Sequence, residues 1–421
     1  MLNKGIRNAA LLLASTLVFA GCAQGSATRS DNATSGSAGG TTVRYMNFSA
    51  NGGHEEDLQA IADAFHAENP DITVQIETIP YDDYFVKLQT AVAGGTASDA
   101  FELNYENFVT YAKNGSLAPL KGIDDSQYRK SLIDGFKVDG TQYGLPESFS
   151  NVVLFYNKNL FEQKGVALPT SSWTWADEQA AAEALTDTAA GVWGDYQPIT
   201  YNEFYKTLEQ SGGKFFSDDG KSVAFNSPEG VEAASWLINK FGKTMPTEAD
   251  GAGTADFDTN LFKEGKLAMW HSGIWMFSGL QDAPFNWDIV VEPGNTQPAS
   301  AMFANGAVVS AKSSNTEAAT KWVSYLTSSK TMSNIRLEKS WELPPVADNA
   351  VFESYLSQEK PSNCQAVLDS LDHGVLPPVI ESQQEMQDIL NDELSATSAG
   401  RKSVDAALSD AASKINALLQ Q

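Results

Sequence analysis

Two hydrophobic periods alternate along this chain. Thr42 to Phe48 is a strand-like apolar run, closed by the loop Ser49 to Gly53. Leu58, Ile61, Ala62 and Phe65 then recur at helical spacing until Asn69-Pro70 ends the pattern. Ile72, Val74 and Ile76 alternate as a strand that Pro80 stops, Tyr84 to Ala93 reads as a helix, and Gly94-Gly95 caps it. Asp99 to Leu103 predicts a short strand and Tyr105 to Lys113 a helix. Farther on come strands at Val152 to Tyr156 and Ala304 to Ser310, and helices at Trp175 to Leu185, Gly230 to Phe241 and Glu317 to Leu326. Strand and helix joined by short links argue for a parallel sheet flanked by helices. Ligands of such sheets sit at the carboxyl ends of the strands, here Asn47–Asn51 and Leu103–Asn107. In the helical tail, Val404, Ala407, Leu408, Ala411, Ile415 and Leu418 form one apolar stripe beginning at the cap Ser403. Docking on a domain is the expectation for that stripe.

The first residues read differently. Lys4 and Arg7 precede an uncharged run from Asn8 to Gly21, the layout of an export signal. With Asn8, Ser15 and Thr16 inside it, that run is a poor membrane span, which needs about 20 apolar residues. Ala20-Gly21-Cys22 resembles the lipobox of bacterial lipoproteins, with Phe19 where leucine is more usual. The resemblance implies a diacylglycerol on the Cys22 thiol after cleavage of a signal peptide over 1–21. Residues 22–40, rich in Ser, Gly, Ala and Thr, then form a flexible tether. The protein is expected outside the cytoplasm, anchored to the cell membrane by lipidated Cys22.

Composition narrows the partners. With 53 acidic and 28 basic residues the formal charge is -25, which repels phosphate backbones and anionic headgroups, so no nucleic acid partner is expected. Beyond Cys22 only Cys364 remains, which leaves the lipidated chain no intramolecular disulfide; Cys364 reads as a packed thiol. His54, His66, His271 and His373 are scattered without paired spacing, so no metal and no cofactor are expected. Nine Trp, 13 Tyr and 21 Phe exceed what a polar exported chain needs for its core, so some rings should face solvent or a ligand.

Four ordered segments carry a family resemblance. Phe65-His66-Ala67-Glu68-Asn69-Pro70-Asp71-Ile72 is followed by Asp99 with its apolar strand and by Tyr111 to Leu117. Tyr143-Gly144-Leu145-Pro146 precedes Leu154-Phe155-Tyr156-Asn157-Lys158-Asn159-Leu160-Phe161. Phe262 to Trp275 reads FKEGKLAMWHSGIW, and Trp341-Glu342-Leu343-Pro344-Pro345-Val346 closes the series. Together they resemble the solute-binding lipoproteins of ABC sugar importers, the maltose-binding-protein-like class. The resemblance implies an α/β, two-lobed periplasmic-binding-protein-like (type II) clamp with a hinge of crossing strands and a helical C-terminal tail. Crossings would fall near Phe149–Asn151, Ser300–Asn305 and Ser340–Pro345. The amino lobe would take 41–150 plus 304–343 and the carboxyl lobe 151–303 plus 344–421. The implied function is capture of a mono- or oligosaccharide between the lobes and its delivery to a transmembrane permease, by a monomer with no catalytic residues. The competing expectation is a lipid-anchored glycoside hydrolase using paired carboxylates, whose separation a sequence does not reveal.

A neutral sugar presents apolar C–H faces and a rim of hydroxyls, so its site needs flat rings beside carboxylates and amides. Trp275 is the first candidate: the resemblance puts it where the family stacks a ring on its ligand, and Ser272-Gly273 leaves room for close approach. Trp341 and Glu342, at the third crossing, pair a stacking face with an acceptor. Asn104, Tyr105, Glu106 and Asn107 follow a strand end, and Glu106 matches a position where the family often has an acidic sugar ligand. Leu103 stands where a stacking Trp is common there. Glu147, Ser150 and Asn151 occupy the first crossing, divided between ligand contact and backbone support. Trp270 and His271 either reach the ligand or end a buried strand. Trp193 or Tyr196 is expected at the cleft, from loop-like aromatic and acidic stretches that include Tyr201 to Tyr205, where Phe204 and Leu208 also fit a core helix. Asn47 and Asn305 complete the set.

Overall fold

The computed structural model describes residues 40–251, 254, 256–339 and 341–420. The signal and Cys22 lie outside them. Among the described residues no helix is long and apolar enough to cross a membrane.

The described residues form ten strands: β1 Thr41–Asn47, β2 Ile72–Thr78, β3 Ala100–Asn104, β4 Lys137–Val138, β5 Thr141–Gln142, β6 Gly144–Asn157, β7 Met269–Gly273, β8 Trp287–Val290, β9 Ser300–Val309 and β10 Gly374–Val375. β4 and β5 form a separate hairpin. The main sheet runs β2-β1-β3-β9-β6-β7, with β8 on β6 and β10 on β9. The opening β-α-β-α-β series is parallel, as its period predicts: β1 pairs with β2 and β3 in parallel. The rest is not. β9 returns from the far half of the chain and pairs antiparallel with β3 and β6, so the sheet is mixed. Local period identifies a strand but not the direction from which a distant strand re-enters.

β6 is longer than the Val152–Tyr156 strand the pattern predicts, and all of it is buried. Its first part pairs with β9 up to Asn151–Met302, and its second part, from Val152, pairs with β7 and β8. β6 thus runs from one half of the molecule into the other. β9 does the same in reverse, from β10 at Ser300 to β3 at Val309. A third passage lies beside them, where Phe149 bridges Leu343.

Helices cover both halves. Glu55–Glu68 and Thr316–Ser328 pack Leu58, Ile61, Phe65, Trp322 and Leu326 against Val43 and Tyr45. Tyr201–Gln210, read as loop-like with Phe204 and Leu208 as its part in a core helix, is a helix throughout, capped by Thr200, and Phe204 and Leu208 are in the core. Its aromatic residues are core-facing. Val404–Leu418 begins where Ser403 accepts from the amide of Ala406, and its stripe docks on Leu237 and Phe225. Cys364 is buried, and burial pushes its thiol up to about 12, so it is an inert packed group.

Candidate functional site

The ends of β1 and β3 open onto a cleft of about 1200 Å³. One wall carries Phe48 and Ser49 after β1, Tyr81 and Phe85 on the helix Tyr81–Ala93, and Asn104, Glu106 and Asn107 at the start of Tyr105–Lys113. The other carries Asn202, Trp275, and Gln383, Gln384 and Gln387 of the helix Gln383–Ser398. Between them lie Ser150, Phe303, Ala304 and Asn305 of the crossing strands, with Glu342. Trp275, Glu342, Glu106, Asn104, Asn107, Ser150 and Asn305 are therefore brought together at one cleft.

Their local causes differ. Trp275 is 50% exposed and meets Phe303 edge-on at 5.6 Å. Its ring lies over Gly273, where a Cβ would come within 1.9 Å of the indole. Asn104 caps its helix, accepting from the Asn107 backbone at 3.2 Å and the Asn107 side chain at 2.8 Å, so both amides are oriented before any ligand arrives. Glu342 accepts from Ser148 and, at 3.1 Å, from Asn305. Burial pushes the Glu106 carboxyl up.

Other candidates lie elsewhere. Trp341 is only 7% exposed, and its rings are already engaged. His54 stacks on them at 4.8 Å, the Arg336 guanidinium lies 4.0 Å from the ring centroid, and the indole N–H donates to Ser49 O at 3.1 Å. It supports the cleft instead of offering the expected free face. Glu147 is a buried partner of Arg336 (2.9 Å) and Tyr45 (2.6 Å). Asn151 donates to Val367 O at 2.9 Å, and Asn47 fixes the turn after β1 through Ala50 and Thr78. Tyr105 packs on Phe136. Trp193 and Tyr196 run along β7, their amides bonded to Lys266 O and Met269 O, half-buried against the core and not among the residues lining the cleft. Ser272 sits within β7 opposite Val153.

Trp270 and His271 are core residues, because β7 is buried by the elements on either side. Trp270 is 1% exposed, and its N–H donates to Asp258 at 3.0 Å. His271 stands in a buried ionic network. Its Nδ1 is 2.8 Å from Glu292, and its Nε2 is 3.0 Å from Glu178 and 3.4 Å from Asp195. Burial alone would strip its proton, but Glu178, Glu292 and Asp195 more than reverse this and hold it well above its ordinary value. Among the described residues, Glu178, Asp195 and His271, and Glu203, His271 and Glu292, are spaced as cation ligands. Lysine ammonium groups stand between these carboxylates: Lys240 lies 2.5 Å from Glu178 and 2.6 Å from Asp195, and Lys206 pairs with Glu203 and Glu292.

Sequence reasoning missed Phe48, Tyr81, Phe85, Phe303 and the three glutamines. Tyr81 and Phe85 are four apart at the first turn after a strand, a spacing that could have marked a ring cluster at a strand end.

Residues 51–333 match the family described as bacterial extracellular solute-binding protein. The chain belongs to that family. An ABC substrate-binding protein from Listeria monocytogenes, solved in complex with cycloalternan, is 44% identical with a TM-score of 0.83, covering 90% of this chain and 99% of that one. A galactooligosaccharide-binding protein of Bacillus subtilis is 27% identical over 83% of each chain. A maltooligosaccharide ABC transporter solute-binding lipoprotein of Streptococcus pneumoniae is 25% identical over 100% of this chain and 99% of its own length. The family's two-lobed α/β clamp is the fold of this chain, with β6 and β9 as crossing strands and a helical tail, and the chain is the solute-binding component of an ABC importer.

Proposed function

We propose that the cleft takes a neutral oligosaccharide and that the lobes close on it before delivery to the permease. The observation that carries this is the lining itself: half-exposed Trp275 faces the ring cluster of Phe48, Tyr81 and Phe85, with carboxamides around them. No lysine or arginine is among the described lining residues, which disfavours an anionic ligand. At about 1200 Å³ the space exceeds the 300–1,000 Å³ typical of drug-sized ligands, so it has room for several sugar units. Relatives named for galactooligosaccharide and maltooligosaccharide, and the neighbour holding cycloalternan, support the same ligand class.

The lobes we assign are 41–150 with 304–343, and 151–303 with 344–421, divided where β6 exchanges β9 for β7 and β8. Lipidation of Cys22 would tether the clamp beside its permease, as the name of the pneumococcal relative supports. Cleft contacts proposed for the sugar are Trp275, Glu106, Asn104, Asn107, Ser150, Asn305, Glu342 and Asn202. The relatives and the neighbour above are named as binding proteins, which does not support the glycosidase alternative, and one cleft carboxylate, Glu342, is already held by Ser148 and Asn305.

A glycan panel screened by thermal shift and followed by calorimetric titration tests the reading. Neutral oligosaccharides should raise the melting temperature by mass action and be recovered intact. A shortened sugar in the recovered sample, or no shift with any glycan, would reject it.

A further inference from the structure

Glu102 lies on β3 beneath the cleft, is 0% exposed and does not line it. Its Oε2 accepts from the amides of Phe48 and Ser49, each at 3.0 Å. Those two residues follow β1, and both line the cleft. The Tyr84 hydroxyl, 2.7 Å from the Glu102 carbonyl and 3.1 Å from that of Met46, ties β3 to β1 at the same level. From the other side, the Trp341 indole holds Ser49 O. Phe48 then meets Tyr84, Tyr81 and Phe85 at centroid distances of 4.9, 5.2 and 5.7 Å. The ring wall of the cleft is thus set by a side chain that no ligand touches.

The surroundings of that side chain oppose a charge on it. Glu147 on β6 and Glu342 stand near it, and the other titratable neighbours are the phenols of Tyr45 and Tyr84. Arg336, the cation of this cluster, is paired with Glu147 at 2.9 Å. The Glu102 Oε1 is buried without a hydrogen-bond partner, a condition that is far costlier for an ionised oxygen than for a neutral one. Burial, Glu147 and Glu342 together push the carboxyl well up, and the two amides only partly offset them.

We propose that Glu102 is a positioning residue for saccharide binding, holding Phe48 and Ser49, and through them the ring wall, as a neutral carboxyl. The proposal rests on the saccharide reading of the cleft. Ionised, Glu102 would be repelled by Glu147 and Glu342 and would draw in water beneath the loop. A saccharide that covers the cleft excludes that water, so it favours the neutral acid. Affinity is therefore full at low pH and is lost as rising pH ionises Glu102.

Two variants and two measurements test it. Glu102→Gln places a group of the same shape that does not titrate, and Glu102→Ala removes the acceptor. Calorimetric titration uses linear α-1,4-glucotetraose and linear β-1,4-galactotetraose from about pH 5 to about pH 9. Over that range the wild type should lose at least about fivefold more affinity than Glu102→Gln, the two agreeing within about twofold at the acid end. Glu102→Ala should bind at least about tenfold more weakly throughout, a loss that the Gln variant does not share. In NMR of the ligand-free protein, the Phe48 and Ser49 amides should move with pH in the wild type and stay in place in Glu102→Gln. Should Glu102→Ala fail to fold, Glu102→Gln decides. Parallel pH profiles for the wild type and Glu102→Gln, or wild-type amides that do not move, overturn the proposal and leave the saccharide reading standing. A wild type that binds neither glycan while its amides titrate counts against the saccharide reading, and with it the role in affinity, but not against the proton on Glu102.

Discussion

Gly273 and Trp275 act as one unit. The indole occupies the place where a Cβ of residue 273 would be, and this seats the ring on the strand end with half its surface open to the cleft. Trp275→Ala should therefore remove a stacking face without opening a core cavity. Saccharide affinity should fall at least about tenfold, about 1.4 kcal/mol, in calorimetric titration, with a nearly unchanged melting temperature. An unchanged affinity would take Trp275 off the list of contacts. This residue was legible in the sequence because its positioning is local: small Gly273 and aromatic Trp275 are two residues apart. Trp341 was not, since what engages its rings comes from Arg336 on one helix and His54 after β1, and no spacing near Trp341 announces His54. His271 misled for the same reason. Its three acidic partners, Glu178, Asp195 and Glu292, lie on separate segments, and a lone histidine beside a tryptophan looks the same in a groove or a core.

Elements are tied together by those buried charges. Glu178 belongs to the helix Trp175–Leu185, Lys206 to Tyr201–Gln210, Lys240 follows Pro228–Asn239, and His271 lies on β7. Lys240 bonds Glu178, Asp195 and Gln197, and its ammonium lies 4.0 Å from the Trp236 ring, which in turn stacks on Trp175 at 4.6 Å. Removing one member of such a set leaves its partners as unpaired buried charges. Lys240→Met should thus cost about 3–5 kcal/mol of folding free energy, read as a lowered denaturant midpoint. A midpoint like that of the wild type would show that water reaches Glu178 and Asp195. The periodicity of the helices was plain from the sequence, and Tyr105–Lys113 and Trp175–Leu185 form where it placed them. What the period could not carry was long-range pairing: β9 entering antiparallel between β3 and β6, or Gln383 and Gln387 of a tail helix turning a polar face to the cleft.

Over the whole molecule, the buried charges make stability depend on pH, and the signs can be worked out group by group. His271 is held above its ordinary 6.5 by Glu178, Glu292 and Asp195 acting against burial. Its share of stability is fully present below about pH 6.5 and is lost as pH rises through the folded value. Glu292 moves the other way. Lys206 and His271 overcome its burial and bring it from 4.5 to about 2, so its share is present above about 4.5 and lost as pH falls toward 2. Asp195, between Lys240 and His271, is likewise held low. Glu102 adds to the loss: burial, with Glu147 and Glu342 near, holds its carboxyl up, so its share is present below about pH 4.5 and is lost as pH rises from there toward the folded value. The denaturant midpoint should therefore be highest near pH 4.5 and decline on both sides, more steeply above about pH 6.5 where His271 adds its loss. His271→Gln separates the two alkaline contributions. It removes the imidazolium but not Glu102, so the midpoint should start lower and the decline above about pH 6.5 should become shallower. If the variant keeps the wild-type slope, the alkaline loss belongs to Glu102 and its carboxylate neighbours; if the wild-type midpoint climbs through neutrality, His271 is not held as a cation in the fold.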